Sequence, residues 1–164
     1  MATEKILLGY GEFSVDDVPV GLTRGGGSFT VETEYREIEA DGDKGVVKGR
    51  VVIDRQDAKL TLNALDMFSA EDMAKFYPAL KETTGTITST LEILTTDYHA
   101  VKWVGKTMGG EKVTITVDNA INLENIDLTL EDKDEVVPEL TYTAAYEEDE
   151  RDTPPWNIVF GEAA

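Results

Sequence analysis

Residues 24–45 read RGGGSFTVETEYREIEADGDKG, and the alternation in the middle of this stretch decides the fold class. From position 29 to position 36, apolar or neutral side chains alternate with polar ones, which is the two-residue period of a β-strand with two different faces. The first series is Phe29, Val31, Thr33 and Tyr35, and the second is Thr30, Glu32, Glu34 and Arg36. Two acids in the second series predict a mostly negative exposed face.

Length and composition predict one globular domain over residues 1–164. The chain has 164 residues, and folded domains commonly hold roughly 100 to 200. Hydrophobic residues make up 41% and charged residues 29%, which is ordinary for a soluble protein and too apolar for a disordered one. The 33 acids and 15 bases leave a formal charge of −18. Such a surface disfavours adhesion to nucleic acid or anionic membrane, because that adhesion depends on Lys and Arg.

Some chemistries are excluded by residues that the sequence lacks. The chain contains no cysteine, which rules out disulfides, thiol catalysis and thiolate metal sites. The opening residues MATEKILLGYGEF contain no basic leader, and no segment approaches the roughly 18 apolar residues of a membrane span. We therefore expect a soluble protein that uses no signal peptide and has no membrane partner.

Most of the remaining chain also follows the strand period. The alternating segments lie at about 47–54, 58–64, 87–93, 100–104, 113–117, 121–130, 140–146 and 156–160. The polar stretch 55–57 predicts a turn that joins the first two of these into a hairpin. Residues 95–97 and 108–111 predict further turns. The segment 121–130 changes phase at Glu124-Asn125, which predicts a bulge in one long strand. Roughly eight to ten strands result.

One helix is predicted at about 69–77. Ser69 followed by Asp72 resembles a capping box, and apolar residues then recur at helical spacing. Pro78 disfavours helical geometry at Tyr77 and ends the helix there. So short a helix must pack on the sheets, since nucleation is costly. The predicted fold class is mainly β, a β-sandwich or β-barrel with one covering helix.

Two segments are predicted to leave the core as arms or loops. Residues 10–28 are rich in glycine and contain Pro19, and residues 147–155 are acidic and end in a double proline. A loop as long as the first is uncommon inside a compact domain unless it has a function.

The sequence offers little for catalysis. His99 is the only histidine and lies in a strand pattern, with no second histidine or cysteine to share a metal. No G-x-S-x-G turn is present for a serine hydrolase, and acids are too abundant for any pair to be diagnostic of a glycosidase. We therefore predict that the chain is not an enzyme, with no catalytic residue, no metal ligand and no cofactor.

Two short motifs resemble ligand loops without meeting the requirements. Residues 24–28, RGGGS, lack the Gly-Lys-Ser/Thr ending of a phosphate-binding loop and precede a strand instead of a helix. Residues 41–45, DGDKG, resemble the start of a calcium loop, but Gly45 stands at the fifth position and Val52 at the twelfth. We interpret the first as a flexible or tight loop and the second as a turn between strands.

The order of these features resembles the major tail proteins, or tail tube proteins, of long-tailed bacteriophages, which share their fold with the tube protein of type VI secretion. Three places carry the resemblance and together span most of the chain. They are residues 21–26 leading into Phe29, residues 41–49 ahead of Ala58 and Leu60, and the ending from Tyr146 to Ile158. The single helix after residues 58–64 agrees with the same order.

The resemblance implies a hexameric ring, stacked into a hollow tube through which double-stranded DNA passes without specific binding. The implied partners are other copies of the chain, a tape measure protein, a tail terminator and a distal tail protein. The implied location is the virion tail, after assembly in the host cytoplasm. In that family the N-terminal region, a loop between early strands and the C-terminal arm make ring-to-ring contacts, which correspond here to residues 10–28, 40–48 and 147–156.

Candidate site residues follow from these correspondences. The candidates for the lumen of the tube are Glu32, Glu34 and Arg36. The candidates for stacking and arm contacts are Thr23, Arg24, Gly25, Gly26, Asp41, Asp43, Lys44, Lys48, Pro155 and Trp156. Acids that face the lumen would keep DNA from adhering to the wall.

Two other classes remain open at this stage. A monomeric ligand-binding β-barrel or carbohydrate-binding module would use Tyr98, Trp103, Tyr142 and Trp156 as stacking faces, although aromatic residues in strands are more often core. An enzyme is the third possibility, and it has only one histidine and a surplus of acids to work with.

Overall fold

The structure, a computed structural model, describes residues 5–161. In that range the chain forms ten β-strands, one α-helix and a 3₁₀ turn at Thr95–Asp97. The strands are β1 Leu7–Val15, β2 Val18–Pro19, β3 Thr23–Glu37, β4 Val51–Ala64, β5 Leu80–Thr83, β6 Thr86–Ser89, β7 His99–Thr107, β8 Lys112–Asn122, β9 Glu139–Ala144 and β10 Trp156–Phe160, and the helix α1 is Ala70–Phe76. No described helix has the length and hydrophobicity needed to cross a membrane.

The main sheet has eight antiparallel strands and divides at β8. The strand order is β2-β1-β7-β8-β9-β4-β3, with β10 also paired to β8. Residues 113–117 of β8 pair with both β7 and β10, whereas residues 120–122 pair with β9. Between these two parts Asn119 has a φ of 49°, a left-handed conformation that suits a bend. One layer therefore contains β2, β1, β7 and β10, and the other contains β9, β4 and β3.

The hydrophobic core lies between these two layers. Phe13 and Trp103 come from the first layer, and Leu60, Leu62 and Leu140 come from the second. Each of these side chains is at most 7% exposed. The predicted class, a mainly β sandwich or barrel with one short helix near 69–77, is confirmed.

The helix forms where its capping signals predict it. The Ser69 side chain accepts a hydrogen bond from the Asp72 amide at 3.1 Å, so Ser69 is the N-cap. Tyr77, directly before Pro78, is the C-cap and has extended backbone angles. Phe76 is buried and anchors the helix on the core. Because the helix has only seven residues, this packing rather than intrinsic propensity stabilises it.

The hairpin predicted around residues 55–57 is wrong. Residues 51–64 form one continuous strand, β4, which pairs with β3 along nearly its whole length. Glu34 lies opposite Arg55 while Tyr35 lies opposite Ile53, so Asp54 is an extra residue in a bulge. The bulge shifts the alternation by one residue, and that shift produced the apparent turn. The Asp41-Gly42 turn is confirmed, because Gly42 has a φ of 94° and the Asp43 amide donates to the carbonyl of Ala40.

Two further predictions, one of a loop and one of a strand, are wrong. Residues 10–28, predicted as an arm or loop, contain most of β1, all of β2 and the start of β3, and they place Phe13, Val15 and Val20 in the core. The strand predicted over residues 121–130 ends at Asn122, and residues 123–138 form an irregular connection to β9. In residues 10–28, glycines interrupt the alternation, so the pattern does not indicate the strands. In residues 121–130, apolar residues at every second position resemble a strand although the chain is irregular after Asn122.

Candidate assembly surfaces

The three lumen candidates lie on one exposed face of β3. Glu32, Glu34 and Arg36 follow one another at every second position, and all three are exposed. They belong to a ribbon formed by residues 30–37 of β3 and 51–58 of β4, which we call the hairpin ribbon. Since β9 pairs with β4 only at residues 59–63, the hairpin ribbon extends past the sheet with just two strands.

The face that carries these candidates is nearly neutral, which corrects the expectation of a mostly negative face. Lys59 lies 3.6 Å from Glu32, and Arg36 lies 2.9 Å from Asp54. The charged side chains of β4 that lie opposite these candidates or pair with them are Asp54, Arg55, Asp57 and Lys59. With Glu32, Glu34 and Arg36 they make four acids and three bases, a net charge of −1. Cross-strand register, which the sequence does not display, supplies the compensating cations.

Arg55 is the centre of this charged face. Its Nε donates to the Asp57 carboxylate at 2.7 Å, and that hydrogen bond together with nearby Glu34 raises the pKa of the guanidinium. Arg55 also lies directly opposite Glu34 in the register. The face therefore holds interlocked charges of both signs, and its stability contribution is small because the groups are exposed.

The stacking candidates at the tip of the hairpin ribbon lie in the loop 38–50. Asp43 accepts from Arg50 at 2.7 Å and from the amide of Ala40 at 2.9 Å, and the pKa of Asp43 is lowered by the Ala40 hydrogen bond and then by Arg50. Asp43 therefore shapes the loop. Asp41, Lys44 and Lys48 are exposed and remain accessible to a neighbouring molecule.

The stacking candidates at residues 23–26 form the beginning of β3. Gly25 and Gly26 have φ angles of 85° and 72°, which glycine adopts without strain. Arg24 donates to the Glu135 carboxylate at 3.0 Å and lowers its pKa, which ties β3 to the connection 123–138. Thr23 pairs with Ala64 and is partly buried. The candidates Arg24, Gly25 and Gly26 are exposed, but they lie in a strand and do not form a free loop.

The last pair of arm candidates belongs to the body of the protein. Pro155 is buried, and its carbonyl accepts from the Asp118 amide at 2.7 Å. Trp156 begins β10 and packs on Phe29 with ring centroids 5.6 Å apart. The predicted arm over 147–156 is therefore a connection that ends before Trp156, and only its residues 147–154 are exposed.

Among residues 5–161, the unpaired backbone edges of the main sheet include the outer edge of β1 over residues 7–12, the outer edge of β3 and the outer edge of β10. β10 reads WNIVF and carries no charge. Unpaired edges with apolar sequences are templates for pairing with another chain, and stable monomers usually protect them.

The two layers of the sandwich also overhang one another. Ile158 and Phe160 lie opposite the buried Ile115 and Val113, so they point to the core side, yet they are 39% and 64% exposed. Leu7, at the start of β1, is 50% exposed. We call Leu7, Ile158 and Phe160 the β10 shelf, because this part of the first layer extends beyond the second.

The second layer overhangs in the hairpin ribbon. Tyr35 continues the series of Phe29 and Val31, which pack on the core, and its cross-strand neighbour is Ile53. Tyr35 is 70% exposed and Ile53 is 57% exposed. Each molecule therefore presents two apolar, core-type surfaces that nothing in the described chain covers. Sequence alternation indicated these apolar faces, but only the layer packing reveals that they are uncovered.

A cavity of about 300 Å³ opens between the free edges of β1 and β3. Its walls are apolar, and Phe13, Phe29, Leu60, Trp103 and Ile115 contribute most of them. Trp103 lies flat over Gly11 and Gly105, where a Cβ atom would collide with its ring. Gly11 in β1 and Gly105 in β7 therefore make room for a core tryptophan.

The aromatic residues expected to serve as sugar platforms are mostly internal. Tyr142 is 1% exposed and Trp103 is 7% exposed, so neither presents a face to solvent. Burial raises the pKa of Tyr142, as it does for the neighbouring Tyr77. Tyr98 is exposed, and Trp156 packs against Phe29.

The single histidine has a structural partner. His99 Nδ1 lies 2.6 Å from the Asp16 carboxylate, which also accepts from the amide of Ala100 at 3.0 Å. Burial alone would raise the pKa of Asp16, but these hydrogen bonds outweigh it and lower the pKa below its ordinary value. The pair holds the turn after β1 against the start of β7. Within residues 5–161, no group of three or more possible ligands is arranged to bind a metal ion.

Comparisons with known proteins add no identification. A scan against protein-family models found no match, and a search of curated proteins also found none. Functional inference for this chain therefore rests on its own residues and geometry.

Proposed function

We propose that this chain is the structural subunit of a phage tail tube, in which hexameric rings stack into a hollow conduit for DNA. The partners in this proposal are further copies of the chain, with a tape measure protein, a tail terminator and a distal tail protein at defined places in the tail. Double-stranded DNA passes through the tube without specific binding.

The overhang of the two layers carries the proposal. The β10 shelf and the apolar side of the hairpin ribbon expose the residue types that elsewhere in the molecule fill the core. Burying a side chain such as Phe160 stabilises an assembly by about 1.5 to 3 kcal/mol. A neighbouring copy that lays its hairpin ribbon over the β10 shelf would reproduce the sheet-on-sheet packing found inside one chain.

The free strand edges support the same proposal. An edge of one copy can pair with a different edge of the next, which is a heterologous contact that repeats and closes into a ring when the rotation permits. The large negative charge opposes indiscriminate clustering of such edges and keeps isolated subunits soluble. Ring formation would then depend on matching surfaces.

The charge of the chain suits a conduit for DNA. An excess of 18 acids per chain gives an assembly that repels phosphate, so DNA can move without adhering. The face that carries Glu32 and Glu34 has a net charge of only −1, so most of the excess negative charge of the chain lies on other surfaces.

Sedimentation velocity over a range of protein concentrations tests self-assembly. The proposal predicts monomers or small rings in dilute solution and large assemblies on concentration, with Phe160→Ser and Tyr35→Ser each shifting assembly to higher concentration. The matched control is Leu91→Ser, which removes a fully exposed leucine outside both overhangs. A monomer at every concentration would reject the proposal.

A second function has one observation in its favour, the apolar cavity beside Trp103. In this alternative the chain is a monomeric β-barrel that binds a small apolar or sugar ligand. Calorimetric titration with saccharides and fatty acids separates the two functions. Saturable binding by a protein that stays monomeric would favour the ligand-binding function.

A further inference from the structure

An unneutralised pair of lysines lies at the turn between β7 and β8. Lys106 and Lys112 are directly opposite each other in the register, and both are exposed. Neither forms an ion pair with a carboxylate of residues 5–161. Like charges placed opposite each other destabilise a sheet. The chain has 33 acids, yet none of the described ones forms an ion pair with these two lysines. Binding of an acidic partner would neutralise them.

Apolar groups surround the lysine pair. Met108, in the turn itself, is 50% exposed, and Ile6 beside it is 54% exposed. The Met108 amide donates to the carbonyl of Ile6 at 2.9 Å, so the two residues are held together. We call Ile6, Lys106, Met108 and Lys112 the basic end. This surface combines positive charge with an apolar centre.

The complementary surface lies at the opposite end of β8. The connection 123–138 contains six acids and one lysine, a net charge of −5, and every one of these charged residues is exposed. It also contributes Leu128, Leu130 and Val136 to a mainly apolar groove completed by Leu65 and Phe68, which the Arg24–Glu135 ion pair borders. Leu130 is 79% exposed and Phe68 is 48% exposed. We call this connection with its groove the acidic end.

One molecule cannot join its own two ends. β8 has 11 residues and separates the turn at Met108 from the connection that starts after Asn122. At roughly 3.3 Å per residue this is about 30 Å. A contact between a basic end and an acidic end must therefore involve two molecules, and it is heterologous, so each molecule keeps one free surface of each kind.

We infer that the basic end of one copy of this chain docks on the acidic end of the next copy, in a head-to-tail contact. Met108 enters the groove beside Leu130 and Phe68, and the two lysines face the acids of the connection 123–138. The inference rests on the proposed self-assembly and assigns one of its contacts, in which Arg24, at the border of the groove, is the one stacking candidate taken from the family resemblance.

Cysteine cross-linking tests the contact directly, because the chain has no cysteine of its own. Met108→Cys and Leu130→Cys are made in separate chains, which are mixed and oxidised. A disulfide-linked heterodimer is expected. The matched control mixes Met108→Cys with Leu91→Cys, a fully exposed site elsewhere, and should give far less product. Equal yields in the two mixtures would overturn the inference.

Charge reversal gives an independent test. The variant Lys106→Glu/Lys112→Glu should self-associate about tenfold more weakly, since two attractions become repulsions. The variant Glu131→Lys/Asp134→Lys should weaken association likewise. Mixing the two variants should give heterodimers, because the second variant keeps its basic end and the first keeps its acidic end. Assemblies longer than heterodimers should form only if the two reversed ends also attract each other, which a merely structural effect would not produce. Lys81→Glu/Glu82→Lys, which keeps the net charge and lies elsewhere, should behave as the unmodified chain.

The outcomes separate this inference from the proposed function. Tubes that form normally from both charge variants, with no cross-link, would overturn the head-to-tail contact and leave the tube intact. Head-to-tail cross-links and open chains without tubes would support the contact and reject the tube. A protein that neither cross-links nor associates at any concentration would overturn both.

Discussion

The Phe29 and Trp156 rings pack at a centroid distance of 5.6 Å with their planes at 56°, and this contact joins the edge strands β3 and β10 of the two layers. Aromatic pairs in this tilted geometry contribute beyond the area they bury. The indole N–H of Trp156 is buried and has no hydrogen-bond partner among the described residues.

Trp156→Ala is expected to destabilise the fold by about 3 kcal/mol, because loss of a large, partly buried ring leaves a cavity beside the core. Trp156→Phe should cost much less, because it keeps an aromatic contact with Phe29 and removes the unsatisfied N–H. Urea denaturation of dilute protein measures both. Phe160→Ser is the control, since Phe160 is 64% exposed and should leave monomer stability nearly unchanged. Equal losses for the two Trp156 variants would contradict this account.

Gly27 is a point of close approach between the layers. A Cβ on Gly27 would lie 2.8 Å from Cζ of Phe13 and closer still to the carbonyl oxygen of Thr61. Gly27→Ala should therefore cost about 1 to 3 kcal/mol through overpacking. Gly45→Ala is the matched control, because a Cβ there meets nothing within 4 Å. Thermal unfolding compares them, and a neutral Gly27→Ala would show that the layers separate easily here.

Much of the fold is predictable from local pattern, and the helix is the clearest case. Ser69 and Asp72 define its start and Pro78 its end, because caps and proline act through neighbouring residues alone. The sequence does not indicate β1, because Gly9 and Gly11 interrupt its apolar series. Gly11 makes room for the ring of Trp103 on a distant strand. The bulge at Asp54 resembles a turn in the sequence, because a bulge and a turn both shift the alternation of apolar and polar residues by one position.

The candidate surfaces were less predictable, because they depend on pairing between distant segments. Glu32 and Glu34 were recognisable as an exposed acidic series, but their compensation by Lys59 and Arg55 follows from register. Exposure of Ile158 and Phe160 on a core-facing side follows from the relative lengths of two layers. Neither the cross-strand register nor the relative length of the layers can be read from a local sequence pattern.

Ser69→Ala should destabilise the protein by about 1 kcal/mol, because it removes the side-chain acceptor for the Asp72 amide at the start of α1. Ser89→Ala, at an exposed position in β6, is the control and should change stability by less than about 0.5 kcal/mol. Guanidinium denaturation followed by far-ultraviolet circular dichroism measures both. A loss at Ser89 as large as at Ser69 would argue against a capping role.

The Asp16 carboxylate predicts a specific pH dependence. Its pKa is lower in the folded state than the ordinary value of 3.8, so it adds stability above that value and loses the contribution as the pH falls through the folded pKa. The difference in free energy of unfolding between the unmodified chain and Asp16→Asn should therefore reach its full value near pH 5 and decrease below about pH 4. Urea denaturation at successive pH values measures it, and a constant difference down to about pH 2 would exclude this coupling.

Reversal of the lumen candidates should create affinity for DNA. Glu32→Lys/Glu34→Lys leaves two acids on this face, Asp54 and Asp57, against five bases, and changes its net charge from −1 to +3. Fluorescence anisotropy with a DNA duplex should then show binding that weakens steeply with salt, whereas the unmodified chain shows none. Assembly should persist, with slower passage of DNA.

The control for this reversal is Glu148→Lys/Glu150→Lys, which makes the same change of net charge in the exposed connection before β10. Equal DNA affinity in both double variants would show that total charge alone matters, and the lumen assignment of Glu32 and Glu34 would then be abandoned.

Negative-stain electron microscopy of the concentrated, purified protein tests the central claim most directly. The account predicts hollow tubes whose end views average to rings with sixfold symmetry and a central channel. A field of separate, monomer-sized particles at every concentration, with no rings and no tubes, would contradict it.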